Sequence, residues 1–145
     1  MIYNDAAIEL HHFSDASSKG YGCCSYVRCT NKLGMINVNL IMSKSKVAPL
    51  KACTIPRLEL QAAVLAVKVD ALLKRELDLN FAQSYFWTDS EIVLKYIQND
   101  SRRFHVYVAN RVSLIREFSE PSQWFYIDTK VNPADLVTRE YSYSK

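Results

Sequence analysis

The stretch Tyr85-Phe86-Trp87-Thr88-Asp89-Ser90-Glu91-Ile92-Val93 decides the fold. It reads as a short apolar strand that ends on a carboxylate, with a helix starting at once. Phe86 and Trp87 are the bulky aromatic residues that a buried strand takes. Ile92, Val93, Tyr96 and Ile97 then recur at helical spacing. Two duties are open to Asp89 at this junction. Its side-chain oxygen can cap the helix. It can also project from the carboxyl end of the strand, the edge where open α/β sheets hold their ligands. Taken alone, the junction calls for nothing beyond the cap.

Upstream lie three strand patterns. Ile8 to Phe13 runs into Ser14-Asp15-Ala16-Ser17-Ser18-Lys19-Gly20, which has turn composition. Tyr21 to Cys29 is rich in β-branched and aromatic residues, and Thr30 to Gly34 turns it back. In Ile36 to Met42, Ile36, Val38 and Leu40 alternate with Asn37 and Asn39. Such short connections predict antiparallel neighbours. Ser43 to Lys51 reads as a polar connection bearing Lys44, Lys46 and Lys51. Thr54-Ile55-Pro56 opens the longest helix, with Leu58, Ala62, Leu65, Val69 and Leu72 as its buried stripe and Glu59 in its first turn.

Downstream of the deciding stretch, Gln98 to Arg103 is a short polar connection. A helix is predicted from about Phe104 to Phe118 and ends at Glu120-Pro121. Trp124 to Ile127 is a fifth strand, Asp128 to Asn132 a loop, and Pro133 to Val137 a short last helix. The order β-β-β-α-β-α-α-β-α predicts one α/β domain over residues 1–145, with a core of about 8–140. A five-stranded mixed sheet would carry helices on both faces.

The 145 residues are 49% hydrophobic and 23% charged, with a net charge of +3, an ordinary globular composition that is compatible with nucleic acid. The longest apolar run, Ala62 to Val67, is too short to span a bilayer. No apolar leader core stands near Asp5 and Glu9, so an intracellular chain is expected. Cys23, Cys24, Cys29 and Cys53 lack the paired spacing of a zinc site. Adjacent strand residues such as Cys23 and Cys24, or His11 and His12, point to opposite faces. Buried free thiols are the expectation.

Asp15, Glu59, Asp89 and Asp135 all fall at ends of predicted elements. Each alone is a cap or a dipole residue. One mixed sheet would gather all four around its first and fourth strands. Carboxylates so clustered raise one another's pKa, a cost that bound cations relieve. An all-oxygen donor set suits magnesium or manganese and not zinc. Two such ions about 4 Å apart support in-line phosphodiester hydrolysis.

The blocks Phe13-Ser14-Asp15-Ala16-Ser17, Pro56-Arg57-Leu58-Glu59-Leu60-Gln61-Ala62, Trp87-Thr88-Asp89-Ser90 and Asn132-Pro133-Ala134-Asp135-Leu136-Val137-Thr138-Arg139 resemble the ribonuclease H domain of retroelement polyproteins. The likeness is to the Bel/Pao type of long-terminal-repeat retrotransposon. The segments Ser43 to Leu50 and Val108 to Val112 add to it, and it spans roughly residues 8 to 140.

That resemblance implies a ribonuclease H-like fold and cleavage of the RNA strand of RNA–DNA hybrids during reverse transcription. Asp15, Glu59, Asp89 and Asp135 would hold two Mg²⁺, with Mn²⁺ as a substitute. Ser17 and Ser90 would meet the nucleic acid, and Arg102 and Arg103 would contact the hybrid. The parent polyprotein would place a reverse transcriptase domain before this one and an integrase after it, in the cytoplasm within a virus-like particle. The isolated domain would be a monomer without membrane contact. Two features depart from the family. The loop Asp128 to Asn132 lacks the histidine that many ribonucleases H carry, and the connection Gln98 to Arg103 is too short for an additional basic helix. Two rival readings are a non-catalytic connector module, which would have lost the acids, and a DNA-cutting nuclease of the same superfamily, whose acids would be arranged differently along the chain.

Overall fold

The computed structural model describes residues 7–49, 53–99 and 104–135. Five strands form one mixed sheet: β1 (Ala7–Ser17), β2 (Gly20–Thr30), β3 (Ile36–Val47), β4 (Gln83–Thr88) and β5 (Trp124–Tyr126). The spatial order is β3-β2-β1-β4-β5. The first three strands pair antiparallel, whereas β4 lies parallel to both β1 and β5. The helices are α1 (Ile55–Glu76), α2 (Glu91–Gln98) and α3 (Val106–Phe118). This is the mixed sheet expected from the element order.

Alternation along β1 and β4 sorts the side chains between two faces. Ile8, Leu10, His12 and Phe86 are buried with the helices, in one core that also holds Leu60, Ala63, Val67, Val93, Ile97, Val112, Ile115 and Trp124. The opposite face carries a ladder of half-buried rings: His11 on Tyr85 with centroids 4.7 Å apart, Phe13 on Trp87 at 5.9 Å, and Trp87 on Phe125 at 5.2 Å. The adjacent histidines therefore do face opposite ways. Among the described residues the three helices gather on the first face. Ala134 and Asp135 begin the expected last helix, and residues 136–137 of it lie outside the described residues.

Several element ends differ from the sequence expectation. β1 runs past Asp15 to Ser17, because Ser18 and Lys19 alone make the turn and β2 pairs back from Gly20. The Ser17 hydroxyl accepts from the Lys19 amide at 3.2 Å and closes that turn. β3 continues to Val47, so the expected polar connection carrying Lys44 and Lys46 is strand. The ladder to β2 holds it, with an irregularity between Ser25 and Tyr26. Alternation in β3 does not signal burial here: as an edge strand it leaves Ile36, Val38 and Leu40 exposed. At the β2–β3 turn, Asn31 Oδ1 accepts from the amides of Leu33 and Met35, and Gly34 takes the left-handed conformation at φ 81°.

Helix α1 starts as its sequence predicts. Thr54 Oγ1 accepts from the Arg57 amide, and Pro56 stands in the first turn, where no amide is needed. Thr54→Ala is expected to lower stability by about 1 kcal/mol in denaturant melts, the usual worth of such a cap. Leu58, Ala62, Leu65 and Val69 of the expected stripe are buried, and Leu73, not Leu72, completes it. Glu59 lies beyond the first turn, so a charge against the helix dipole is not its duty. Cys23, Cys24 and Cys29 are buried thiols outside any disulfide, as expected, whereas Cys53 is only half-buried.

Candidate active site

The register of the two central strands assembles the site. β1 pairs with β4 so that Ser14 stands beside Thr88. The residues that follow, Asp15 and Asp89, therefore leave neighbouring parallel strands side by side. Asp15 is 7% exposed, although its backbone lies in the hairpin. Burial pushes its carboxyl up, the charge of Asp89 pushes further, the Ala16 amide opposes, and Asp135 adds to the rise. The result is about 8, far above an ordinary carboxyl.

Asp89 is not the cap of α2. Ser90 takes that place, its Oγ accepting from the Val93 amide at 3.2 Å, while Thr88 Oγ1 accepts from the Ser90 amide at 3.1 Å. With Ser90 as the cap, the Asp89 carboxylate is left to act on the other acids. Ser90 also donates to Glu59. Burial raises the Glu59 carboxyl, the Ser90 hydrogen bond lowers it, and Asp89 raises it again, with a net upward shift. Asp89 thus acts on both Asp15, from β1, and Glu59, from α1.

Asp135 arrives from the far end of the chain. Asn132, buried at the turn after β5, donates from Nδ2 to the Ser14 carbonyl at 3.1 Å. Its Oδ1 accepts from the Ala134 amide, and its carbonyl accepts from the Asp135 amide, both at 3.1 Å. One amide side chain therefore ties the loop to β1 next to Asp15 and starts the helical turn bearing Asp135. Sequence reading placed Asn132 within a loop and gave it no duty; its position three residues before an acid at a helix start was the available signal.

All four predicted acids thus converge on one end of the sheet. Among the described residues, no three carboxylate, histidine or cysteine groups already stand as a metal cage. The donor set still fits a hard cation: every side chain is an oxygen donor, and at least two of the carboxyls are partly desolvated and repelled by a neighbour. Ser17 and Ser90 flank the acids, each with a local turn or cap hydrogen bond. Arg102 and Arg103 lie outside the described residues, as does Lys51.

The profile of the Pao retrotransposon-like RNaseH-like domain matches residues 1–90. The chain belongs to that family. The match takes in Asp15, Glu59 and Asp89, and Asp135 lies beyond it. Solved structures extend the likeness over the rest of the fold. LC11-RNase H1, crystallised with an RNA/DNA hybrid, superposes with a TM-score of 0.58 at 16% identity, covering 92% of this chain and 94% of that one. RNase H1 of the archaeon Halobacterium salinarum gives 0.58 at 12% identity, with 95% and 99% covered. The N-terminal RNase H domain of a Mycobacterium tuberculosis protein gives 0.58 at 10% identity, with 94% and 97% covered. No curated protein sequence matches the chain. At these identities the structures establish the ribonuclease H-like fold of this Pao-family domain.

Proposed function

We propose that this Pao-family domain is a ribonuclease H that hydrolyses the RNA strand of RNA–DNA hybrids with two divalent ions held by Asp15, Glu59, Asp89 and Asp135. The observation that carries the reading is the convergence of Asp15 and Asp89 on adjacent parallel strands, with Glu59 and Asp135 brought to them by α1 and the Asn132 turn. When bound, Mg²⁺ or Mn²⁺ lowers the pKa of water and stabilises the leaving oxygen.

The chain supplies placement. Asp89 stands at the middle of the set, Ser90 orients the Glu59 carboxylate, and Asn132 holds the Asp135 turn against β1. Burial and the neighbouring Asp89 push the Asp15 carboxyl up to about 8, and a divalent cation held there would favour its ionised form. Ser17, Ser90, Arg102 and Arg103 contact the hybrid, and RNA is told from DNA by the 2′-hydroxyl and groove shape. Membership in the Pao family implies a polyprotein context. In it, a reverse transcriptase domain ahead of this one would raise activity by raising local substrate concentration, with an integrase following.

The deciding experiment offers the chain a labelled hybrid, duplex DNA and duplex RNA with Mg²⁺. Nicks confined to the RNA strand of the hybrid, leaving 5′-phosphate and 3′-hydroxyl ends, are the expected result. Cleavage of duplex DNA at a similar rate would replace the reading with that of a DNA nuclease, and no cleavage of any duplex would leave a connector module. A further expectation concerns affinity. The connection 98–103 holds few cations, so hybrid binding should be weaker than nanomolar at physiological salt. It should fall at least about tenfold between 50 and 200 mM salt, read by fluorescence anisotropy.

A further inference from the structure

A buried polar network beneath the acids has no part in the chemistry above. His12 on β1 is fully buried, and its Nδ1 lies 2.7 Å from Ser25 Oγ on β2. Its Nε2 lies 2.8 Å from Asp70 Oδ1 on α1. Ser84 on β4 donates to the same Asp70 oxygen at 2.5 Å, and Lys74 reaches in from the surface to Asp70 Oδ2 at 3.0 Å. The His12 ring stacks on Phe86 with centroids 5.0 Å apart. An acceptor-only carboxylate requires the ring proton on Nε2, which leaves Nδ1 to accept from the Ser25 hydroxyl.

Serine, histidine and aspartate in this order have the residue types of a nucleophilic triad. Ser25 and His12 are both wholly buried, so no substrate reaches them. Their geometry serves something else. The network joins β1 and α1, which carry Asp15 and Glu59, to β4, which leads directly into Asp89, and adds β2 behind them. His12 is three residues before Asp15 and Ser84 five before Asp89. Asp70 is eleven residues after Glu59 in α1, about three full turns, so both side chains leave the helix on nearly the same bearing. Holding Asp70 on His12 and Ser84 therefore fixes the rotation of α1 that aims Glu59 at the sheet end. Apolar packing alone would leave that rotation looser, since Ala63, Ala66 and Val67 offer no directional contact.

We infer that His12 and Asp70 are positioning residues: their buried hydrogen bonds lock α1 against β1 and β4 and so set the placement of Glu59 relative to Asp15 and Asp89. The inference rests on the metal-dependent reading above. Asp70→Asn keeps the shape and loses the charge that holds Lys74 and the His12 tautomer. Ser84→Ala removes one hydrogen bond at little cost in volume.

The test is a Mg²⁺ titration of wild type, Asp70→Asn, His12→Gln and Ser84→Ala, read by thermal shift and, separately, by hybrid cleavage at a temperature where each is folded by circular dichroism. The half-saturating Mg²⁺ should rise about tenfold in Asp70→Asn and His12→Gln and about threefold in Ser84→Ala. The turnover number should fall, with KM for hybrid within twofold. A merely structural network would lower the melting temperature and leave the Mg²⁺ midpoint of the folded protein where it was, which overturns the inference. If Asp70→Asn and His12→Gln do not fold, Ser84→Ala decides by the same midpoint. A wild type that responds to Mg²⁺ in neither readout overturns the metal-dependent reading and this inference with it. A responsive wild type with unmoved variants overturns this inference alone.

Discussion

Asp89→Asn is expected to reduce hybrid cleavage by on the order of a thousandfold while leaving the fold intact. The size follows from what the substitution removes: a charged group at the reacting centre, where a single lost electrostatic contact costs about 3–4 kcal/mol of transition-state stabilisation. Asp89 is also the acid whose charge reaches both Asp15 and Glu59, so neutralising it alters the whole set. The fold should survive, because the cap of α2 belongs to Ser90 and the strand ends before residue 89. Single-turnover cleavage of a labelled hybrid in saturating Mg²⁺, alongside circular dichroism, measures both parts. Asp15→Asn should do the same. Undiminished cleavage in both variants would sink the assignment of the acids.

The strand–acid–helix junction at residues 85–93 was readable because each of its signals is local: an aromatic strand, a carboxylate, then helical spacing. The order of elements followed from similar local patterns, and a mixed sheet from that order, whereas the parallel pairing of β4 with β1 is seen only in the structure. Errors came where a tertiary ladder overrides local composition. Ser14 to Gly20 looks like a turn, yet the ladder to β2 keeps Ser14 to Ser17 in strand and leaves the turn to Ser18 and Lys19. Asp89 and Ser90 are both good caps on paper, and the structure starts α2 one residue later, at Glu91, with Ser90 as its cap. Asn132, His12 and Asp70 were not legible as a group of positioning residues. Their partners lie 118, 58 and 58 positions away, as in Asn132 to Ser14 and His12 to Asp70, and no periodic pattern announces a pair at such separation. The acids were suggested as a set by their places at element ends, and family resemblance gave that set its roles, since each alone is an ordinary end-of-element residue.

Without metal, the acid cluster should make the protein less stable as pH rises, and Mg²⁺ should reverse that loss. The Asp15 carboxyl stands at about 8 in the folded chain, against roughly 4 when unfolded. Below about pH 4 it is protonated in both states and costs nothing. Between about 4 and 8 the folded state keeps a proton that the unfolded chain has released, so this contribution to stability falls as pH rises and levels off above about 8. Asp70 and Glu9 work the other way. For Asp70, burial raises its carboxyl, but hydrogen bonds from His12 and Ser84 outweigh it; for Glu9, bonds with His11 and Arg28 do the same. Both end below their usual range and stabilise the fold down to low pH, so the total pH profile mixes the two signs. The difference between wild type and Asp15→Asn isolates the first: the variant should be the more stable at pH 8 and lose that advantage near pH 4. At pH 7.5, Asp89→Asn should likewise melt above metal-free wild type, because one repelling charge is gone. Mg²⁺ at a hundred times its dissociation constant should add about 2.7 kcal/mol to wild type by binding the native state, several degrees in a chain of 145 residues. It should add far less to Asp89→Asn. Differential scanning fluorimetry across pH and Mg²⁺ measures every arm. Equal Mg²⁺ responses in the two proteins, or a metal-free Asp89→Asn that melts below wild type, would mean that the charge of Asp89 is not held against the other acids.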